Sequence, residues 1–171
     1  MANKFVIEDD VLAPKGKIVV EYRGPNPFAF YSKISGLLQS IFQARGVHYF
    51  EDEFRWDTVK DPRQFLLRMH LEKPLDRFTH GFVHLKIIGE QPSDPKKNGA
   101  MFVEIGSNIN TSFPASTPFQ KLIILPFLWF YNMTFYNKVR RRYMQVFKAG
   151  VERLEAELRS IFGIPMRERL T

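Results

Sequence analysis

The chain has 171 residues, no cysteine, 44% apolar and 25% charged side chains, and a net charge of +7. That is the size and composition of one globular domain spanning residues 1–171, and it excludes disorder, disulfides, thiolate metal sites and cysteine nucleophiles. The charge is uneven: residues 1–112 hold 15 Lys/Arg against 14 Asp/Glu (+1), while residues 113–171 hold 10 against 4 (+6).

Two β-like stretches open the chain, Phe5–Asp9 and Lys17–Arg23, separated by the turn-forming Ala13-Pro14-Lys15-Gly16. Acidic residues arrive before any apolar run long enough for a signal peptide, so a cytoplasmic location is expected. Asn26-Pro27 then reads as a helix start, with Asn26 as cap. Phe30, Tyr31, Ile34, Leu38, Ile41 and Phe42 follow at helical spacing, with Gly46 as stop and Gly36 as a point of division.

Four strands are expected next. In Val47–Asp57, strict alternation places Phe50, Phe54 and Trp56 on one face, with Glu51, Glu53, Arg55 and Asp57 on the other. In Phe65–Lys73, Phe65, Leu67, Met69 and Leu71 oppose Arg68, His70 and Glu72. Phe78–Glu90 and Ala100–Thr111 complete an antiparallel meander, the last with Met101, Val103, Ile105 and Ile109 on one face.

The C-terminal region is clearly punctuated. Thr117-Pro118-Phe119-Gln120 forms a capping box, and Arg159, Gly163 and Pro165 mark the far end. The stripe between them runs through Leu122, Leu125, Trp129, Met133, Tyr136, Val139, Tyr143, Val146, Gly150, Leu154, Leu158 and Ile161. Pro126 cannot donate to Leu122, so a short helix over 117–125 and a long one from about 127 are expected.

The order of elements resembles the helix-grip fold of the START-related superfamily, which includes the birch-pollen-allergen-like and polyketide-cyclase-like proteins. A local likeness is Thr117-Pro118-Phe119-Gln120-Lys121-Leu122 followed by apolar residues, then Arg140-Arg141-Arg142 and an amphipathic end at Leu154 and Leu158. The chain departs in having two strands before its first helix and four between the helices. The resemblance implies an α+β fold in which a curved antiparallel sheet of about six strands wraps a long C-terminal helix. It also implies an apolar cavity between them for a lipid, quinone or polyketide-like molecule; no cofactor is expected.

Phe54, Trp56, Met69, Met101, Trp129, Met133 and Tyr136 are the expected lining of that cavity, with the Ser107 hydroxyl placed to orient a ligand. A second reading uses Leu122–Tyr136 followed by Lys138, Arg140, Arg141 and Arg142 to meet an anionic membrane surface or a protein partner. The run is too short, and broken by Pro126, to span a bilayer. A third reading, a cyclase-like enzyme, needs a polar pair in the cavity, for which His70 or His84 with Ser107 are the candidates. His80 and His84 stand about 13 Å apart on one strand face, so no metal site is expected. The pair Glu51 and Glu53 reads as a solvated face. Nucleic acid ranks behind these partners, because residues 1–112 are nearly neutral and contain no recognised module.

Overall fold

The computed structural model describes residues 4–94, 96–114, 126, 127, 130 and 136–165. Strands β1 (Lys4–Asp10) and β2 (Ile18–Pro25) come first, then a 3-10 turn at Pro27–Phe30 and helix α1 (Tyr31–Phe42). Strands β3 (Tyr49–Asp57), β4 (Arg63–Pro74), β5 (Thr79–Gln91) and β6 (Asn98–Pro114) follow, and helix α2 (Asn137–Ile161) closes the chain. The fold is α+β in the helix-grip arrangement: a six-stranded antiparallel sheet curled over a long C-terminal helix.

The sheet runs β1-β6-β5-β4-β3, and β2 also pairs with β6. β6 is long enough to hold both partners on one edge. Its C-terminal half pairs with β1 from Asn108 onward, and its N-terminal half pairs with β2 up to Ile105. At the corner between them the Val11 amide donates to the Ser107 carbonyl at 3.0 Å.

One face of the sheet is apolar because alternation is kept through the central strands. Phe65, Leu67, Met69 and Leu71 of β4 are buried there, with Val83, Leu85 and Ile87 of β5 and Met101, Val103, Ile105 and Ile109 of β6. The helices cover this inner face with Ile34, Leu38, Phe42, Phe147, Val151, Leu154 and Leu158. Close approach of α2 depends on Gly81, where a Cβ would collide with the Phe147 ring. Gly150 gives the same room to Phe42 of α1, whose ring lies 2.6 Å from where a Cβ would stand.

Local chemistry departs from expectation at four points. Asn26 adopts the left-handed conformation and makes no side-chain cap; its carbonyl accepts from Ala29 instead. Gly36 lies within a continuous α1, which Gln43, not Gly46, ends in the left-handed conformation. Lys73 of β4 donates to the Phe42 carbonyl at 2.6 Å, satisfying an orphan acceptor at that end. The inward stripe of α2 runs from its cap Tyr136 through Arg140, Phe147, Val151, Leu154 and Leu158, whereas Val139, Val146 and Ile161 are exposed. The far end of α2 is as expected: Gly163 is left-handed, with Ile164 donating to Arg159 and Gly163 to Ser160, a Schellman motif. Among the described residues the long helix starts at Asn137, and the expected capping box at 117–120 lies outside them.

The fourth departure decides how β3 is read. Between Glu51 and Glu53 the register with β4 shifts, leaving Asp52 as a bulge. Phe50 pairs with the outward His70, whereas Phe54 pairs with the inward Leu67 and Trp56 with the inward Phe65. Phe50 therefore lies on the opposite face from Phe54 and Trp56. Glu51 moves the other way and joins the inner face beside Tyr49.

Candidate functional site

The bulge carries Phe54 and Trp56 inward at the free edge of the sheet, where α1 begins. Phe28 and Tyr31 descend onto them, three residues apart across the junction of the 3-10 turn and α1. Gln91 steadies that junction by accepting from the Phe28 amide at 3.3 Å. Phe28 lies edge-on to Trp56 (4.5 Å between ring centroids) and to Phe65 (5.3 Å), and stacks with Tyr31 at 5.2 Å. Tyr31 is 5.8 Å from Phe54, and Trp56 stacks with Phe65 at 5.8 Å. These separations are in the favourable range for ring pairs. Yet Phe54 remains 49% exposed, and Phe28, Tyr31 and Trp56 are only partly covered. The five rings form a shelf with an open side.

A polar group bounds the shelf at one end. The Tyr31 hydroxyl donates to both oxygens of Glu51 at 3.1 and 3.2 Å, and the Tyr49 hydroxyl lies 3.3 Å from the same carboxylate. Burial, reinforced by Glu51, raises the pKa of both phenols. A carboxylate held by two phenol donors at the rim of an apolar surface can accept a hydrogen bond from a ligand hydroxyl or amine.

The remaining candidate lining residues divide. Met69 and Met101 are buried in the packed core. Tyr136 is buried too, but its hydroxyl belongs to a polar cluster: it donates to Asp76 Oδ2 at 2.7 Å and bonds Thr79, which is 3.2 Å from Thr111. Asp76 Oδ1 also accepts from the Phe78 and Thr79 amides at 2.8 and 2.9 Å. Burial works to raise the Asp76 carboxyl, but the hydrogen bonds from Tyr136, Phe78, Tyr143 and Thr79 outweigh it and hold the group below its usual range. The cluster ties the start of α2 to the β4–β5 turn. Trp129 and Met133 lie outside the described residues.

Ser107 is inward and buried, and its hydroxyl donates to the Phe82 carbonyl at 2.9 Å. His70 and His84 pair directly across β4 and β5 on the outer face. His70 Nδ1 meets Asp52 at 2.8 Å and His84 Nε2 meets Asn108 at 2.9 Å. The sheet separates both histidines from Ser107, so the candidate polar pair is not assembled. Among the described residues no three His, Asp or Glu side chains cluster as a metal site.

On α2, Lys138, Arg141 and Arg142 are exposed, joined along the solvent face by Lys148 and Arg153, which the sequence reading left aside. Arg140 corrects the expectation: it points inward and is ion-paired with Asp9 of β1, because it falls on the buried stripe of the helix. Phe127 and Phe130 are 67% and 54% exposed. No helix among the described residues is long and apolar enough to cross a membrane. No family model matches this chain, and no curated protein matches it either.

Proposed function

We propose that the protein binds an apolar, ring-bearing small molecule, such as a quinone- or polyketide-like compound or a lipid, on the shelf of Phe28, Tyr31, Phe54, Trp56 and Phe65. The observation that carries this reading is Phe54: it faces the covered side of the sheet, ring against ring, and is still half exposed. Removing about 100 Å² of such surface from water contributes about 2.5 kcal/mol, and a planar ligand adds stacking to that. Glu51, held by Tyr31 and Tyr49, supplies the polar anchor. The element order shared with START-related proteins supports the same class of ligand. The site lies nearer the β3 edge than the interior between sheet and C-terminal helix, because Met69, Met101 and Tyr136 are committed to packing and internal hydrogen bonds.

Titration with the apolar fluorophore 1-anilinonaphthalene-8-sulfonate tests it. Saturable binding that weakens about tenfold or more in Phe54→Ser, at an unchanged unfolding midpoint, is expected. Equal binding by the two proteins contradicts it.

A second reading has its own support. Lys138, Arg140, Arg141 and Arg142 crowd the first turns of α2, where the helix dipole disfavours cations, and no acidic residue stands in the first turn. Asp9 accounts for Arg140. Lys138, Arg141 and Arg142 make no ion pair among the described residues. With Phe127 and Phe130 exposed nearby in sequence, this favours peripheral contact with an anionic bilayer.

A further inference from the structure

We propose that the outer face of the sheet carries a separate binding site for an organic cation with an apolar body. Near the end where β2 and β3 flank it, this face is hollowed into a trough of about 650 Å³, within the range of small-molecule sites. Its floor is one cross-strand row: Leu66 of β4 opposes Ile88 of β5, which opposes Phe102 of β6. Ile88 is 46% and Phe102 42% exposed, although both sit on interior strands, where an outward face is ordinarily polar.

Register also fixes the rim. Arg55 and Glu21 end the apolar row, and the next row reads Asp57, Gln64, Glu90, Ala100 and Arg23. Arg55 is already ion-paired with Glu53. Glu21, Asp57 and Glu90 make no ion pair among the described residues. Three carboxylates therefore face one remaining guanidinium, Arg23, on a protein whose net charge is +7. The adjoining row, Glu53, Arg68, Lys86 and Glu104, is different in kind: Glu53 bridges Arg68 at 3.3 Å and Glu104 bridges Lys17 at 2.9 Å, so each of its carboxylates has a cation within the protein. A merely solvated face would look like that second row. The trough instead combines uncovered apolar floor with unmatched negative charge, which complements a cation that has an apolar surface of its own.

The test is a site-resolved NMR titration with tetraphenylphosphonium and with tetraphenylborate, its anion of the same shape. Saturable shifts at the Leu66, Ile88 and Phe102 amides with the phosphonium, and weak or no response there to the borate, are expected. The variant Glu21→Gln/Asp57→Asn/Glu90→Gln should bind the phosphonium about tenfold more weakly. Phe102→Ser should also weaken it, whereas Phe54→Ser on the other face should not. All these side chains are exposed or at the rim, so an unchanged unfolding midpoint confirms that each variant folds. Silence of the three amides toward the phosphonium, an equal response to the borate, or an unaltered affinity in the triple variant would overturn the proposal.

Discussion

Asp9 of β1 and Arg140 of α2, 131 residues apart in sequence, form an ion pair in which the guanidinium is almost wholly covered and the carboxylate largely so. The bond joins the first strand to the first turn of the last helix. Removing one partner leaves the other charged and poorly solvated, which typically costs about 3 kcal/mol or more. Asp9→Asn and Arg140→Gln should each lower stability by about that amount in urea unfolding. Asp9→Leu/Arg140→Leu should recover much of the loss.

Ser107 provides a contrasting case. Its hydroxyl is engaged with the Phe82 carbonyl rather than presented to a ligand. Ser107→Ala should cost about 1 kcal/mol of stability and leave binding of the fluorophore unchanged. A selective loss of binding would return Ser107 to the site.

Tyrosine ionisation gives a pH dependence of known sign. Burial, with a carboxylate beside each, raises the Tyr49 and Tyr136 phenols well above their ordinary value near 10. A raised native pKa means stability fully present below the unfolded value and lost as pH climbs beyond it. Stability should therefore decline above about pH 10, and absorbance titration should find two phenols resisting ionisation until the protein unfolds. Asp76 acts in the opposite sense: its lowered pKa contributes stability that fades as pH falls below the ordinary carboxylate range.

The cationic face of α2 predicts salt-sensitive flotation with vesicles containing phosphatidylserine. Replacing Lys138, Arg141 and Arg142 with Gln should lower the bound fraction at low salt, at about 1 kcal/mol per charge near the surface, without altering the fold. Arg140→Gln should differ from this set by destabilising the protein. Binding that ignores salt would discard the membrane reading.

The sheet was legible because side chains alternate in the central strands and turn residues separate the strands; all six observed strands overlap the expected stretches. Alternation alone could not reveal Asp52 as an extra residue, since Phe50 and Phe54 remain an even number apart. The α2 stripe slipped for a different reason: its inward positions include Arg140, a charge that Asp9 meets there. Phe54 and Trp56 could be picked from the sequence as site candidates. Phe28 and Tyr31 could not, because their contact with β3 comes from how the α1 junction folds back over a strand more than twenty residues away. Their i, i+3 spacing was the available signal.

The claim that the shelf of Phe28, Tyr31, Phe54, Trp56 and Phe65 holds an apolar compound is tested most directly by organic extraction of the purified protein and mass spectrometry of the extract. An apolar compound recovered from the wild type, and lost from an equally well folded Phe54→Ser variant, is the predicted result. No such compound from the wild type, or the same yield from both proteins, would contradict it.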